Sequence, residues 1–183
     1  MMALAARVIP VVDDEELVSR VRQGDEAAFT ALYKRHARHV AGVVYRLLGG
    51  DHCLDDIVQE TFVIGLRQID TLREASALQR WLTTIAVRRV KRHLASRYRK
   101  RELDEELGAT LPRVSEPQAR DEIHALYRAL HRLPDKLRLP WVLHHIEGET
   151  LPDVAEMCEC SLTSAKRHIA AANTRLRRLG HAY

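Results

Sequence analysis

The chain has 183 residues, a formal net charge of +4 and a pI near 9.1, which suits one large domain or two small ones. No segment approaches the roughly 20 apolar residues that a membrane span requires. Its three cysteines, an odd number, argue against a disulfide framework and favour a cytoplasmic protein. We expect residues 1–12 to form an N-terminal tail and not a secretory signal.

Charge is distributed unevenly along the chain. Residues 80–101 contain nine Lys or Arg and no Asp or Glu, whereas four of the five residues 102–106 are acidic. A cationic segment of this kind can bind a polyanion, because neutralised phosphates release their condensed counterions. A solvated helix face is the alternative.

Hydrophobic periodicity is helical almost throughout and predicts an all-α fold. Gly108, Pro112 and Pro117 interrupt it and indicate a linker over residues 102–118. The linker separates two small helical domains, at residues 13–101 and 119–183. The predicted helices cover about 15–23, 26–48, 53–67 and 77–99 in the first domain, and 120–132, 135–146, 151–158 and 162–179 in the second.

The last two helices have the pattern of a helix-turn-helix. Thr150 and Ser161 are placed to cap them, and the second is amphipathic. A basic polar face on such a helix suits the major groove of DNA; a plain helical hairpin is the alternative. The predicted buried stripe is Leu162, Ala165, Ile169, Ala172, Leu176 and Leu179, and the opposite face carries Thr163, Ser164, Lys166, Arg167, Ala170, Asn173 and Arg177.

The fourth helix combines an apolar row with cations. Trp81 lies near its start and could stack on an unpaired base, while cations follow the backbone of single-stranded nucleic acid. A Trp in the core is the alternative. The apolar row is Leu78, Leu82, Ala86, Val90 and Leu94, and the polar row is Thr84, Arg88 and Arg92, flanked by Arg89 and Lys91.

The third helix carries an acidic face, formed by Asp55, Asp56, Gln59 and Glu60. Such a face would repel DNA and suits a basic protein surface. A magnesium-dependent nuclease using its carboxylates is an alternative, but one helix supplies few converging oxygens. A zinc site at His144, His145, Cys158 and Cys160 is a further alternative to buried structural thiols. We predict no metal, cofactor or enzymatic activity, since no phosphate loop or catalytic triad is evident.

Several motifs resemble those of extracytoplasmic-function sigma factors, the small two-domain members of the sigma-70 family. The segment LVSRVRQGDEAAFTALY at 17–33 resembles the family's opening, DDIVQETF at 55–62 its clamp-binding helix, and RWLTTIA at 80–86 its promoter-melting helix. Residues 130–134, the Glu147-Gly148 pair and the helix-turn-helix resemble its region 4. The resemblance implies a transcription initiation subunit of RNA polymerase whose region 2 occupies residues 13–101 and whose region 4 occupies 119–183.

The resemblance also implies partners. They are the clamp helices of the largest polymerase subunit, the flap of the second-largest subunit, promoter DNA and, in many members, an anti-sigma protein. It assigns clamp binding to Asp55, Asp56, Gln59 and Glu60. It assigns the −10 element to the loop at 68–79 and to Arg73, Trp81, Thr84, Arg88, Arg89, Lys91 and Arg92, and the −35 element to Ser161, Thr163, Ser164, Lys166, Arg167 and Ala170.

This chain departs from the family pattern at several positions. Arg88 and Arg92 replace the usual amide or acidic residues of the melting helix, and Thr163 and Ala165 alter the start of the recognition helix. At Arg88 and Arg92, contacts that an amide makes in the family would become cationic. A stand-alone DNA-binding regulator, or a decoy that binds polymerase without melting DNA, would share some motifs; binding to core polymerase separates the first of these from a sigma factor.

Overall fold

The computed structural model describes residues 12–48, 53–106 and 122–179, and within these ranges it contains helices and no strand. The fold is all-α with two helical domains, as predicted. The helices are α1 Asp14–Arg22, α2 Glu26–Leu48, α3 Leu54–Gln68 and α4 Leu78–Glu106 in the first domain, and α5 Glu122–His131, α6 Asp135–His145, α7 Leu151–Met157 and α8 Leu162–Arg178 in the second.

Short polar residues set the helix boundaries of the first domain. Asp13 Oδ1 accepts a hydrogen bond from the Glu16 amide at 2.8 Å, which caps α1. Gly24 has φ +83°, a conformation that glycine adopts at little cost, and it turns the chain between α1 and α2. Asp25 Oδ1 then accepts from the amides of Ala27 and Ala28 at 2.9 and 3.0 Å, as expected for an N-cap.

The first domain packs α1, α3 and α4 around α2. The predicted apolar row of α4, from Leu78 to Leu94, is buried along its whole length. Gly65 lets α3 approach α4 closely, because a Cβ there would lie only 3.2 Å from Leu82 Cδ2. A side chain at position 65 would push against Leu82, whereas Trp81 Cζ3, 3.6 Å away, would be in ordinary van der Waals contact.

The second domain contains the predicted helix-turn-helix in α7 and α8. Thr150 Oγ1 and Ser161 Oγ accept from the amides of Asp153 and Ser164, so both predicted N-caps are confirmed. The stripe of α8 is buried at Ala165, Ile169, Ala172 and Leu176. The two ends of the predicted stripe, Leu162 and Leu179, are exposed and do not belong to the core.

Two local features differ from the predicted helix pattern. Helix α4 continues to Glu106, five residues into the predicted linker, and the rest of that linker lies outside the described residues. Two 3-10 turns, Ile69–Thr71 and Ala75–Ala77, form the connection between α3 and α4. Pro140 is buried inside α6.

The two domains contact each other directly. Helix α2 packs on α6, and α4 packs on α7. Arg46 of α2 donates Nε and Nη2 to the two carboxylate oxygens of Glu147, at 2.5 and 2.8 Å. These hydrogen bonds raise the pKa of Arg46. The side chain of Glu147 is only 8% exposed, so this bidentate pair is largely removed from water.

Within the ranges that the structure describes, no helix has both the length and the apolar character needed to cross a bilayer.

Candidate nucleic-acid interface

The acidic face of α3 is exposed to solvent. Helix α3 buries Ile57, Val58 and Thr61 against the core, so the residues between them must point outward. Thr61 keeps its hydroxyl satisfied inside the core by donating to the Ile57 carbonyl at 2.7 Å. The outward face presents all four predicted residues together: Asp55, Asp56, Gln59 and Glu60.

Two apolar side chains extend this acidic face. Val63 and Leu66 are 40% and 42% exposed. Val63 lies four residues after Gln59 and Leu66 three residues after Val63, so both lie on the same side of α3 as Gln59. Val63 and Leu66 were not among the predicted site residues, although their helical spacing from Gln59 could have identified them. An acidic face with an apolar extension is suited to a protein surface.

The acidic face also touches the basic helix beside it. Arg89 of α4 donates Nε to Glu60 Oε2 at 2.7 Å, and its Nη2 contacts the same oxygen. Two residues that were assigned to different partners therefore pair with each other. Since both side chains are partly exposed, this pair contributes little to folding stability.

A cavity of about 430 Å³ opens between the loop that follows α3 and the first turns of α4. Trp81 is half-buried and lines both this cavity and the small apolar pocket beside Gly65 and Leu82. The indole thus serves the core and the cavity at once. The lining includes four predicted −10 residues, Arg73, Trp81, Thr84 and Arg88, with Gln68, Thr71, Leu72, Glu74, Ala77, Arg80, Ile85 and Glu156.

Arg22 of α1 ties down the loop that borders this cavity. Its Nη2 donates to the Leu72 carbonyl and, at 3.4 Å, to the Ile69 carbonyl. Arg22 is separated from Ile69 and Leu72 by 47 and 50 positions in the sequence, so no local pattern could have identified these contacts. Arg22 is therefore a positioning residue for the loop.

The remaining predicted −10 cations do not form one free surface. Lys91 Nζ donates to the Cys158 carbonyl at 2.7 Å and to Glu159 Oε2 at 3.0 Å, and Arg88 Nε lies 3.9 Å from Glu159 Oε1. The hydrogen bond from Lys91 lowers the pKa of Glu159. Arg92 is exposed. Arg88 Nε is buried and forms no hydrogen bond within the described residues.

Arg80, which the sequence analysis did not assign to a site, belongs to the same surface. Its Nη2 lies 2.5 Å from Asp153 Oδ1 and 3.5 Å from Glu156 Oε2. The basic face of α4 is thus partly occupied by carboxylates of the second domain.

The outer face of α8 is open. Thr163, Lys166, Arg167 and Ala170 are exposed, and neither cation forms an ion pair within the described part of the chain. Ser161 and Ser164 are engaged in the cap: Ser161 Oγ accepts from the Ser164 amide at 3.1 Å and donates to Ser164 Oγ at 3.0 Å.

Asn173 does not belong to the exposed polar face of α8. Its Oδ1 accepts the indole N–H of Trp141 at 2.7 Å, and the Trp141 side chain is buried. An amide on the predicted polar face is here half-buried and accepts a hydrogen bond from the core, because the buried indole N–H needs an acceptor.

The residues considered for zinc have other contacts. Burial raises the pKa of the Cys158 thiol to about 12. His144 Nδ1 lies 2.8 Å from the Glu149 carbonyl, and its ring meets that of His145 edge-on, with centroids 5.0 Å apart. Across the described ranges, no group of three or more His, Cys, Asp or Glu is placed to hold a metal ion.

Comparison with known proteins agrees with this architecture. The family described as Sigma-70 region 2 matches residues 32–100, and the family described as Sigma-70, region 4 matches residues 123–176. The chain is 30% identical to the ECF RNA polymerase sigma-E factor of Haemophilus influenzae, over 87% of this chain and 90% of that protein. It is also 30% identical to the RNA polymerase sigma-H factor of Pseudomonas aeruginosa, over 87% and 89% of the two chains.

Two solved structures have similar folds. The sigma factor RpoE in complex with the anti-sigma factor NepR, from Bartonella quintana, superposes with a TM-score of 0.65 and 23% identity, covering 82% of this chain and 95% of that one. CnrH in complex with the cytosolic domain of CnrY has a TM-score of 0.60 at 23% identity, covering 91% and 96%.

The sequence motifs, the two helical domains and the relatives that span nearly the whole chain agree with one another. The chain belongs to the extracytoplasmic-function (ECF) family of sigma factors, the non-enzymatic subunits that direct bacterial RNA polymerase to specific promoters and initiate transcription.

Proposed function

We propose that three surfaces of this sigma factor bind three different partners during transcription initiation. The acidic face of α3, at Asp55, Asp56, Gln59 and Glu60, binds the clamp helices of the largest polymerase subunit. The cavity beside Trp81 and the basic face of α4 bind the opened −10 element, and the exposed face of α8 binds the −35 element in the major groove.

The observation that carries this proposal is the chemical difference between the two basic helices. Helix α4 combines cations with an indole and a cavity of about 430 Å³, which suits an unpaired base and its backbone. Helix α8 presents short polar residues and two cations on an exposed N-terminal half, which suits a duplex groove. A stand-alone duplex-binding regulator would have no use for the first arrangement.

The acidic face has a complementary role. Its carboxylates lie on α3 and cannot approach phosphates without repulsion, whereas a basic protein helix would be attracted to them. The exposed Val63 and Leu66 add an apolar area that such a partner can cover. We also assign the second domain to the polymerase flap and the chain to the cytoplasm, where its polymerase works.

The departures at Arg88 and Arg92 have a consequence for the −10 element. A guanidinium donates only and favours phosphates or guanine acceptors, whereas an amide both donates and accepts. We therefore infer that this surface holds the DNA backbone more strongly and discriminates bases differently from relatives with amides there.

An anti-sigma partner is also part of the proposal. One structural relative is a sigma factor in complex with the anti-sigma factor NepR, and another is CnrH in complex with the cytosolic domain of CnrY. This chain offers an inhibitor an anionic surface on α3 and cationic surfaces on α4 and α8, so a single protein with both charges could bind it.

Transcription in vitro tests the proposed function. Core RNA polymerase is mixed with the chain and a library of promoter sequences, and the transcripts are sequenced. We expect transcripts from a subset of templates that share two elements at fixed spacing. Binding to polymerase without any transcript would indicate a decoy, and selective promoter binding without polymerase would indicate a stand-alone regulator.

A further inference from the structure

The loop between α3 and α4 is closed by a turn at each end. We call residues 69–77 the cavity loop, because several of them line the cavity of about 430 Å³. The Leu72 amide donates to the Ile69 carbonyl at 3.2 Å, and the Ala77 amide donates to the Glu74 carbonyl at 3.0 Å. The side chains of Ile69 and Leu72 are buried, so the first turn is anchored in the core.

Two residues of opposite charge lie between the anchored Leu72 and the second turn. They are Arg73 and Glu74, and both are exposed and line the cavity. Neither side chain forms an ion pair or a hydrogen bond within the described part of the chain. A guanidinium only donates and a carboxylate only accepts, so this pair is equipped to distinguish the donors and acceptors on a base edge.

Arg22 holds the peptide that leads into this pair. Its Nη2 donates to the Leu72 carbonyl and also, at 3.4 Å, to the Ile69 carbonyl, so one nitrogen joins the two ends of the first turn. Among the residues that the structure describes, no other group donates to the Leu72 carbonyl. Because a peptide unit is planar, the direction of this carbonyl fixes the start of Arg73.

The helix that carries Arg22 is itself firmly placed. Val21, the preceding residue of α1, is buried and lines the same small apolar pocket as Ile69. Arg20 donates Nε and Nη2 to Asp25 Oδ2 at 2.9 and 2.8 Å, which ties the end of α1 to the start of α2. A loop supported by a packed helix is positioned more precisely than a loop that depends on its own turns.

Arg22 acts on the loop and not on a base in the cavity, because it is not among the residues that line the cavity. We propose that Arg22 is a specificity-determining residue that works through the cavity loop. It sets the positions of Arg73 and Glu74, and through them the base preference within the −10 element. This inference rests on the proposed −10 role of the loop.

A direct contact between Arg22 and a DNA phosphate would have a different signature. Loss of such a contact weakens binding to all sequences alike and lowers its salt dependence. A displaced loop instead changes the ranking of bases at the positions that face it, and it leaves the −35 preference as it was. The ranking of −10 bases therefore separates positioning from simple charge.

Three variants of the full chain make this comparison. Arg22→Gln removes the charge and shortens the side chain. Arg22→Lys keeps the charge, but an ammonium lacks the planar fork of a guanidinium, so the first turn is held less precisely. The matched control is Arg38→Gln, which removes the same charge from an exposed side chain of α2 that has no hydrogen bond or ion pair to the cavity loop.

Transcription in vitro with core polymerase measures the preference on two promoter libraries, one randomised in the −10 element and one in the −35 element. For Arg22→Gln we expect the ratio of transcripts between the best and the second-best base to change at least about threefold at one or two −10 positions. Its −35 ranking should stay within about twofold of the original. Arg22→Lys should show a smaller change at the same positions, and Arg38→Gln none.

Hydrogen exchange of the full chain measures loop placement without polymerase. Amides in residues 69–77 of Arg22→Gln should exchange at least about tenfold faster than in the original chain, because the first turn loses the side chain that closes it. Arg38→Gln should leave this exchange unchanged. If Arg22→Gln loses its circular dichroism spectrum, Arg22→Lys compared with Arg38→Lys decides by the same two measurements.

The role of Arg22 is overturned if Arg22→Gln and Arg38→Gln give the same −10 ranking, or if exchange over residues 69–77 does not change. The original chain distinguishes this failure from a failure of the proposed function. If the original chain initiates and the variants share its ranking, only the role of Arg22 is lost. If the original chain never initiates with core polymerase, the proposed function fails and this inference falls with it.

Discussion

The two basic helices, α4 and α8, differ in what surrounds their cations. On α4, Arg80, Arg88, Arg89 and Lys91 all lie near carboxylates of the same chain. On α8, Lys166 and Arg167 point into solvent without an ion pair among the described residues. A cationic sequence pattern therefore identifies a surface able to bind a polyanion, but it does not tell whether other parts of the chain cover that surface.

Of the three predictions, the strongest loss should follow from a charge reversal on α3, the helix proposed to bind core polymerase. Asp56→Lys places a cation in the middle of the acidic face of α3 and opposite the proposed basic clamp. We expect a loss of several kcal/mol in core polymerase binding, enough to abolish co-purification. The α8 surface should be unaffected, so the variant would retain its affinity for −35 duplex.

The matched control for Asp56→Lys is Asp70→Lys, which reverses an exposed charge outside the acidic face. Size-exclusion chromatography with core polymerase measures both. Equal binding of the two variants, each with the circular dichroism spectrum of the original chain, would remove α3 from the polymerase interface.

A smaller effect is expected on α8. Lys166→Ala and Arg167→Ala should each weaken binding to a −35 duplex in the free chain, because this helix is already uncovered. A base contact would cost about 1–3 kcal/mol and relax one position, whereas a phosphate contact would weaken all sequences and lower the salt slope by about one.

Titrations at several salt concentrations distinguish the two cases for α8. Arg177→Ala, at the far end of the same helix, is the control and should change affinity less. If neither Lys166→Ala nor Arg167→Ala changed affinity or slope, the groove-facing assignment of α8 would be wrong.

The weakest of the predicted effects is a pH dependence of folding stability that differs between the two domains. Burial, and then the nearby Arg138 charge, lower the pKa of His131 to about 4 in the second domain. The unfolded chain takes up a proton near pH 6.5 while the folded chain does not, so stability falls as the pH drops from about 6.5 to about 4. With solvent screening we expect the loss to be about 1–2 kcal/mol.

Urea unfolding between pH 4 and 7.5 checks this prediction. His131→Gln should flatten the decline in the second domain's transition, while His39→Gln in the first domain should leave that transition's pH dependence unchanged. A decline that is identical with and without His131 would mean that another group carries it.

The sequence was sufficient for most of the helices, because their signals are local. Thr150 and Ser161 cap helices that begin one residue later, and the row from Leu78 to Leu94 marks a buried face at a period that only a helix has. The exposure of the acidic face of α3 follows from the same periodicity. The roles of these faces were taken from family resemblance.

The contacts between domains could not be read from the sequence. Arg46 and Glu147 are 101 positions apart, and Lys91 and Glu159 are 68 apart, so no period or spacing links them. Asn173 fell on the predicted polar face because periodicity cannot detect that a buried indole needs an acceptor. The two 3-10 turns were not predicted because each is three residues long, which is too short to show a hydrophobic period.

The continuation of α4 to Glu106 limits how far the end of α4 and the start of α5 can separate. Only residues 107–121 lie between the end of α4 and the start of α5 at Glu122. Even fully extended, that tether spans no more than about 55 Å, at roughly 3.3–3.6 Å per residue. The length of the tether therefore sets a ceiling on the distance between the end of α4 and the start of α5, and each residue removed from it lowers that ceiling by about one base-pair rise of duplex DNA, ~3.4 Å.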